Sequence, residues 1–265
     1  MTKRITIITF LIVFSCIVQA HEFWLQPDKF FYQPGESLKV TFKVGENFMG
    51  ESWNLKKHRI EKLELHSING IKNLSQQVTE GETGMLEENQ LKAGTQMIVM
   101  QSNNAFISLD GQKFNEYLKE DGLDEVYDHR EKNNLLADSA KEFYSRHTKL
   151  LVQVGDKKDE SFKKVIGLPI EIIPETNPYD AKVGSPMRFK VVFDNKPLFG
   201  AKVRVWNRYN NRTTVQNIYA EKDGVIETRI SNPGSWMISV VKMVPSKDPK
   251  ADWQSYWGSL VFGVK

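Results

Sequence analysis

The chain has 265 residues, with 36 Lys and Arg against 33 Asp and Glu, and a single cysteine, Cys16. That balance excludes a strongly basic surface for nucleic acid and a disulfide framework, since basic residues are neither in large excess nor clustered with aromatics. The length suffices for one large domain or two modest ones.

Residues 1–20 carry Lys3 and Arg4, an apolar run from Ile5 to Phe14, and Val18-Gln19-Ala20 at their end. This is the charged, hydrophobic and cleavage pattern of a secretory signal, too short to span a bilayer comfortably. Cleavage after Ala20 predicts an exported, periplasmic or secreted protein that begins at His21, lacks cysteine and keeps one excess positive charge. A lipoprotein signal ending at Cys16 is the competing reading, although Phe14 fits it poorly.

Beyond His21 the pattern is of short strands. Gln33-Pro34-Gly35-Glu36 forms a turn, after which Leu38, Val40, Phe42 and Val44 alternate with polar residues and present one apolar face. Leu63 and Leu65 alternate before Asn69-Gly70, a hairpin signal, and Met97–Met100 and Ala105–Leu109 read as further strands. Between 111 and about 146 the period shifts, with Phe114, Tyr117, Leu118, Leu123, Val126 and Tyr127 on helical faces, predicting a helical insertion. Thr148–Val154 returns to a strand, and the stretch from Gly167-Leu168-Pro169 to Ile173-Pro174 resembles a strand running into a linker.

After Pro174, alternation at Met187, Phe189, Val191 and Phe193, then at Ala201, Val203 and Val205, is followed by strands at 225–230 and 236–243. Asp194-Asn195-Lys196-Pro197, Asp223-Gly224 and Asn232-Pro233-Gly234 are the turns. The expectation is a mainly β protein of two immunoglobulin-like β-sandwich domains, 21–173 with the insertion and 174–265.

An amino-terminal His21 offers one metal ion two nitrogens, the α-amine and Nδ1, in a single chelate ring. Nickel, cobalt, copper and zinc favour such donors. The competing reading is an imidazole that merely packs or is solvated. Two donors leave a site incomplete, and His147, at the expected junction of insertion and strand, is the first candidate partner. His66 follows, sharing a strand face with Glu64 and Ile68, where an exposed polar residue is the favoured reading over a ligand; positive charge beside His58, at Lys57 and Arg59, disfavours a cation there, and His129 among charges reads as solvated. No standard metal-ligand spacing joins these histidines. Nucleophile-elbow and phosphate-loop motifs are absent, no mature cysteine offers thiol chemistry, and pairs such as Glu87-Glu88 lie in charged segments. Asn73-Leu74-Ser75 and Asn211-Arg212-Thr213 match the glycosylation triplet, relevant only to a eukaryotic secretory pathway.

Several stretches carry a family resemblance: Ala20-His21-Glu22-Phe23-Trp24-Leu25-Gln26-Pro27, Val44-Gly45-Glu46, Phe143-Tyr144-Ser145-Arg146-His147-Thr148-Lys149, Gly167-Leu168-Pro169-Ile170-Glu171-Ile172-Ile173-Pro174, Asn177-Pro178-Tyr179, Lys196-Pro197-Leu198-Phe199-Gly200-Ala201, Asp252-Trp253 and Trp257. With these the chain resembles the bacterial DUF4198 family, some of whose members are labelled nickel uptake or nickel/cobalt transport-associated periplasmic proteins. The resemblance implies an exported β-rich protein with a mature amino-terminal histidine and a part in transition-metal handling. The segment from Pro197 with Asp223-Gly224 and Trp236 also looks like carboxypeptidase-regulatory or transthyretin-like sandwiches, usually non-catalytic. Where relatives often carry histidine before the Met-Val pair this chain has Lys242, which must lose its proton to ligate a metal.

The leading expectation is a non-enzymatic metal-binding accessory of uptake or homeostasis that hands a divalent ion to a membrane transporter component. A non-metal envelope binding or structural module is the alternative, and a histidine-brace copper oxidase a third. Composition and pattern leave the oligomeric state open.

Overall fold

The computed structural model describes residues 22–265; the leader, Cys16 and His21 lie outside the described residues. In chain order the strands are β1 (Glu22–Pro27), β2 (Phe31–Tyr32), β3 (Leu38–Glu46), β4 (Met49–Ser52), β5 (Ile60–Ser67), β6 (Gly70–Asn73), β7 (Met85–Glu88), β8 (Gly94–Ser102) and β9 (Ala105–Leu109). Helices α1 (Gly111–Asp121) and α2 (Asp124–Lys132) intervene. Then follow β10 (Ala140–Val154), β11 (Ile170–Pro174), β12 (Pro186–Phe193), β13 (Lys196–Pro197), β14 (Lys202–Tyr209), β15 (Arg212–Tyr219), β16 (Val225–Arg229), β17 (Gly234–Pro245) and β18 (Trp253–Val264).

The protein is mainly β, and its sandwiches share their middle layer. A ten-stranded central sheet runs β15-β14-β17-β18-β10-β8-β5-β6, with β2 and β9 also on β10. One small sheet, β1-β3-β4 with β7 on β3, covers one face, and the other, β11-β12-β13 with β16 on β12, covers the opposite face. Successive side chains of a strand point to opposite faces, so a strand covered on both sides must be apolar throughout. Along β8, Ile98 and Met100 enter the first core while Met97 and Val99 enter the second; Leu150 and Leu151 of β10 divide the same way.

The two halves of the chain meet at β10 and β18, which pair in parallel from Glu142 opposite Trp253 to Leu150 opposite Val261. The division expected at 173/174 falls at the end of β11, whose partner β12 follows in the same small sheet. Helical structure ends at Lys132 and not near 146: β10 starts at Ala140, so Tyr144, Arg146 and His147 are strand residues. Charged and polar side chains there mask the strand period.

Helices α1 and α2 pack on the same central-sheet face as the β1 sheet, through Phe114, Leu118 and Val126 against Val241, Met243 and Trp253. Asp110 caps α1 by accepting from the Lys113 N–H at 2.9 Å, and Gly122, at φ +69°, ends it in the left-handed conformation that glycine adopts without strain. One ion pair is wholly buried: Lys149 Nζ lies 2.9 Å from Glu171 Oε1, and the two Glu171 oxygens also accept from the Ile166 and Gly167 N–H groups. Burial lowers the Lys149 pKa, the neighbouring Glu171 carboxylate opposing it.

Candidate functional site

The first described strand begins in a charged pocket between the β1 sheet and α1. Glu22 opposes Gly45 across the β1–β3 ladder. A side chain at Gly45 would collide with the backbone at Met49 and Gly50, so glycine allows the close turn that brings β4 back beside β3. Glu22 is thereby buried, and its Oε1 accepts from Arg204 Nη1 of β14 at 2.8 Å. The same nitrogen lies 2.5 Å from Asp121 Oδ1 at the end of α1.

A helix leaves its last carbonyls without helical donors. Here the Glu120 carbonyl accepts from Arg204 Nη2 at 2.8 Å and Lys202 Nζ at 2.7 Å, so β14 caps α1 while neutralising Asp121 and Glu22. Desolvation opposes the charge of Arg204, but the Asp121 and Glu22 carboxylates outweigh it and raise its pKa. Burial pushes the Asp121 carboxyl up to about 7; Arg204 counteracts this, and Glu22 and Glu120 reinforce it. Glu22 is also raised, first by burial, with Arg204 opposing and Glu46 adding repulsion. Between these groups lies a cavity of about 10 Å³ lined by Glu22, Asp121, Lys202, Arg204, Val241 and Trp257. That is about the space of one water or one ion.

A second buried carboxylate adjoins it. Glu142 of β10 accepts from Tyr117 Oη at 3.2 Å and from the Ser255 hydroxyl, and Trp257 Nε1 donates to Ser255 Oγ at 3.0 Å. Tyr117 stacks on Trp257 with ring centroids 5.9 Å apart. Burial pushes Glu142 up to about 7, the two hydroxyl hydrogen bonds opposing it. Tyr117 and Asp121 are one helical turn apart and share a face, so one stretch of α1 serves both carboxylates.

His21 lies outside the described residues and precedes Glu22 in the chain. The other sequence candidates are elsewhere. His147 is buried on β10, its Nε2 2.9 Å from Ser145 Oγ and its Nδ1 without a hydrogen-bond partner among the described residues, and burial lowers its pKa to about 4. It shares a strand face with Lys149 and Leu151, toward the β11 sheet, whereas β1 packs on the Arg146 and Thr148 face. The central sheet thus separates His147 from the start of β1.

His66 is not exposed as its alternation with polar residues suggested: β5 lies between β6 and β8, which bury it with Nε2 2.8 Å from Glu64 Oε2. Through Met97 it aligns with Leu151, two strands and four residues from His147, on the order of 15 Å by strand spacing. His129 packs edge-on against Trp253 at 5.5 Å, His58 is exposed, and Lys242 Nζ pairs with Glu125 at 2.7 Å. Among the described residues no three His, Cys, Asp or Glu side chains are grouped to hold a metal. Asp121, Glu142 and Arg204 were not singled out from sequence; their signal is tertiary, because Arg204 and Glu22 meet across 182 positions.

The family described as "Domain of unknown function (DUF4198)" matches residues 18–243. No curated protein matches the chain. Among solved structures, fibronectin(III)-like modules of Clostridium thermocellum CbhA are 12% identical, over 91% of this chain and 94% of that one, at a TM-score of 0.19. Trypsin-activated alpha-2-macroglobulin from Escherichia coli is 9% identical, over 90% of this chain and 23% of that one, at 0.20. Scores so low carry no argument about this chain.

Proposed function

The chain belongs to the DUF4198 family, and we propose that this member is an exported, non-enzymatic protein that captures a divalent transition metal, nickel, cobalt or copper, at a mature amino-terminal His21. The observation that carries the reading is the pocket at Glu22, the next residue in the chain: Glu22 and Asp121, two buried carboxylates, face a one-ion cavity. His21 contributes an amine and an imidazole nitrogen in one chelate ring, and Glu22 and Asp121 contribute oxygens, a donor set suited to borderline divalent ions.

In the metal-free protein Arg204 neutralises both carboxylates; an arriving cation takes over part of that charge balance. The ion is cargo, presented afterwards to a membrane transporter component. Export supplies the free amine, since only cleavage after Ala20 creates it. Isothermal titration of nickel or copper into mature protein, compared with a version carrying one extra residue before His21, tests the reading. Binding by the native terminus and a loss of at least about ten-fold on extension are expected, one charge-assisted donor being worth that much. Equal binding by both forms refutes the role of the amine.

A further inference from the structure

The same face of the central sheet carries a second feature that the metal reading does not use. Arg146 of β10 is half-buried with its guanidinium carbon 4.7 Å from the Phe23 ring centroid, 5.4 Å from Tyr144 and 5.7 Å from Trp53. Phe23 and Trp53 meet edge to face at 5.2 Å, so these two rings form one wall beside the guanidinium, with Tyr144 as a separate ring contact. Arg146 opposes Trp257, which opposes Val241 of β17, and β14 lies next in the sheet. Arg146 and Arg204 are therefore three strands apart, on the order of 15 Å, and belong to different sites.

A guanidinium has five N–H donors and no acceptor. Among the described residues that of Arg146 makes no ion pair and no hydrogen bond; only its backbone N–H donates, to Ser102 Oγ at 3.0 Å. Burial lowers its pKa, Tyr144 opposes this, and Arg59 adds to it by repulsion. Among the described residues the Arg59 guanidinium donates only to the Asn104 carbonyl, at 3.3 Å. Both residues are tied to the end of β8, the Asn103 N–H donating to the Arg59 carbonyl at 3.0 Å as the Arg146 N–H does to Ser102, and among the described residues neither guanidinium is in an ion pair. A desolvated, unpaired cation is costly, and an anion at its free edge offsets both the desolvation and the repulsion.

We propose that Arg146, with Arg59 beside it, binds the carboxylate of a small organic acid whose carbon body lies against Trp53 and Tyr144. The planar fork accepts a carboxylate in two parallel hydrogen bonds, and π contacts with the rings leave the N–H edge of the fork to face the ligand. Aromatic walls favour a ligand with a flat or apolar body over a strongly hydrated inorganic anion. The site stands independently of the metal reading and is tested in metal-free protein.

The experiment is a titration of the mature, metal-free protein with benzoate, and in parallel with inorganic phosphate, followed by NMR at the Arg146 Nε–H and Trp53 Nε1–H signals. Saturable shifts with benzoate are expected, with no saturation by phosphate over the same range. Arg146→Lys keeps the charge and removes the fork, and should weaken benzoate at least about ten-fold. Arg59→Gln, at the surface, should weaken it several-fold with the melting temperature unchanged, and stands in if the Arg146 variant fails to fold. No saturable shift with benzoate, saturation by phosphate at lower concentration, or unchanged benzoate binding in the folded variants overturns the assignment.

Discussion

Glu142→Gln is expected to stabilise the protein at pH 8 and to do little at pH 4.5. The Glu142 carboxyl is buried under Tyr117 and Trp257 and pushed from its ordinary 4.5 up to about 7. A folded-state pKa above the unfolded one means the folded state holds the proton more tightly. Its contribution is fully present below about pH 4.5 and is lost as pH rises through 7. One unit corresponds to about 1.4 kcal/mol, so a shift of roughly two and a half units removes about 3 kcal/mol by pH 8, some 2 of it between pH 5.5 and 8.

The glutamine carbonyl still accepts from Tyr117 and Ser255 without ionising, so the variant escapes that loss. Urea denaturation at pH 5.5 and 8 checks this. With a slope of about 2–3 kcal/mol/M for a chain of this size, the midpoint of the variant at pH 8 should exceed that of the parent by about 1 M. A variant less stable than the parent at pH 8, or an unchanged pH dependence, refutes the reasoning, because Glu142 would then be ionised at no cost.

Four further outcomes are expected. Metal affinity should fall at least about a hundred-fold from pH 8 to pH 6, since the Asp121 carboxyl, held near 7, and the α-amine, ordinarily near 8, both take up protons there; titration calorimetry at the two pH values reads it. Asp121→Asn should weaken metal about ten-fold at pH 8, by removing one charged donor, with circular dichroism unchanged. His147→Asn and His66→Asn should leave metal affinity unchanged, because both imidazoles have partners or positions away from the β1 start; a ten-fold loss in either contradicts that placement. Lys149→Met should lower stability by about 3–5 kcal/mol in urea, since it strands the wholly buried Glu171 with only two backbone donors.

Local order was legible in the sequence where one period governs a segment. The alternation of β3 and β12 and the helical faces of α1 and α2 are found where the pattern puts them. Strands buried on both faces read as continuous apolar runs, so Met97–Met100 and Leu150–Val152 revealed strands without revealing that two sheets sandwich them. The shared central sheet depends on the parallel pairing of β10 with β18, over 100 positions apart, for which local pattern carries no signal. His147 illustrates the same limit. A period of two shows that it opposes Arg146 in direction, but only the tertiary structure shows that β1 lies on the Arg146 side.

The carboxylate pocket was half legible. Glu22 stands beside His21 in the chain, whereas Asp121 reads as one more acid at the polar end of a helix. Its role comes from Gly122, which ends α1 there, and from Arg204, which arrives on β14.

Electron paramagnetic resonance of copper-loaded mature protein, with histidine ¹⁵N-labelled, tests metal capture at His21 most directly. One imidazole nitrogen and one amine nitrogen, both from His21, are expected, unchanged by His147→Asn and His66→Asn and abolished by a residue added before His21. A spectrum with two or more imidazoles, or one that survives the added residue, contradicts the amino-terminal site.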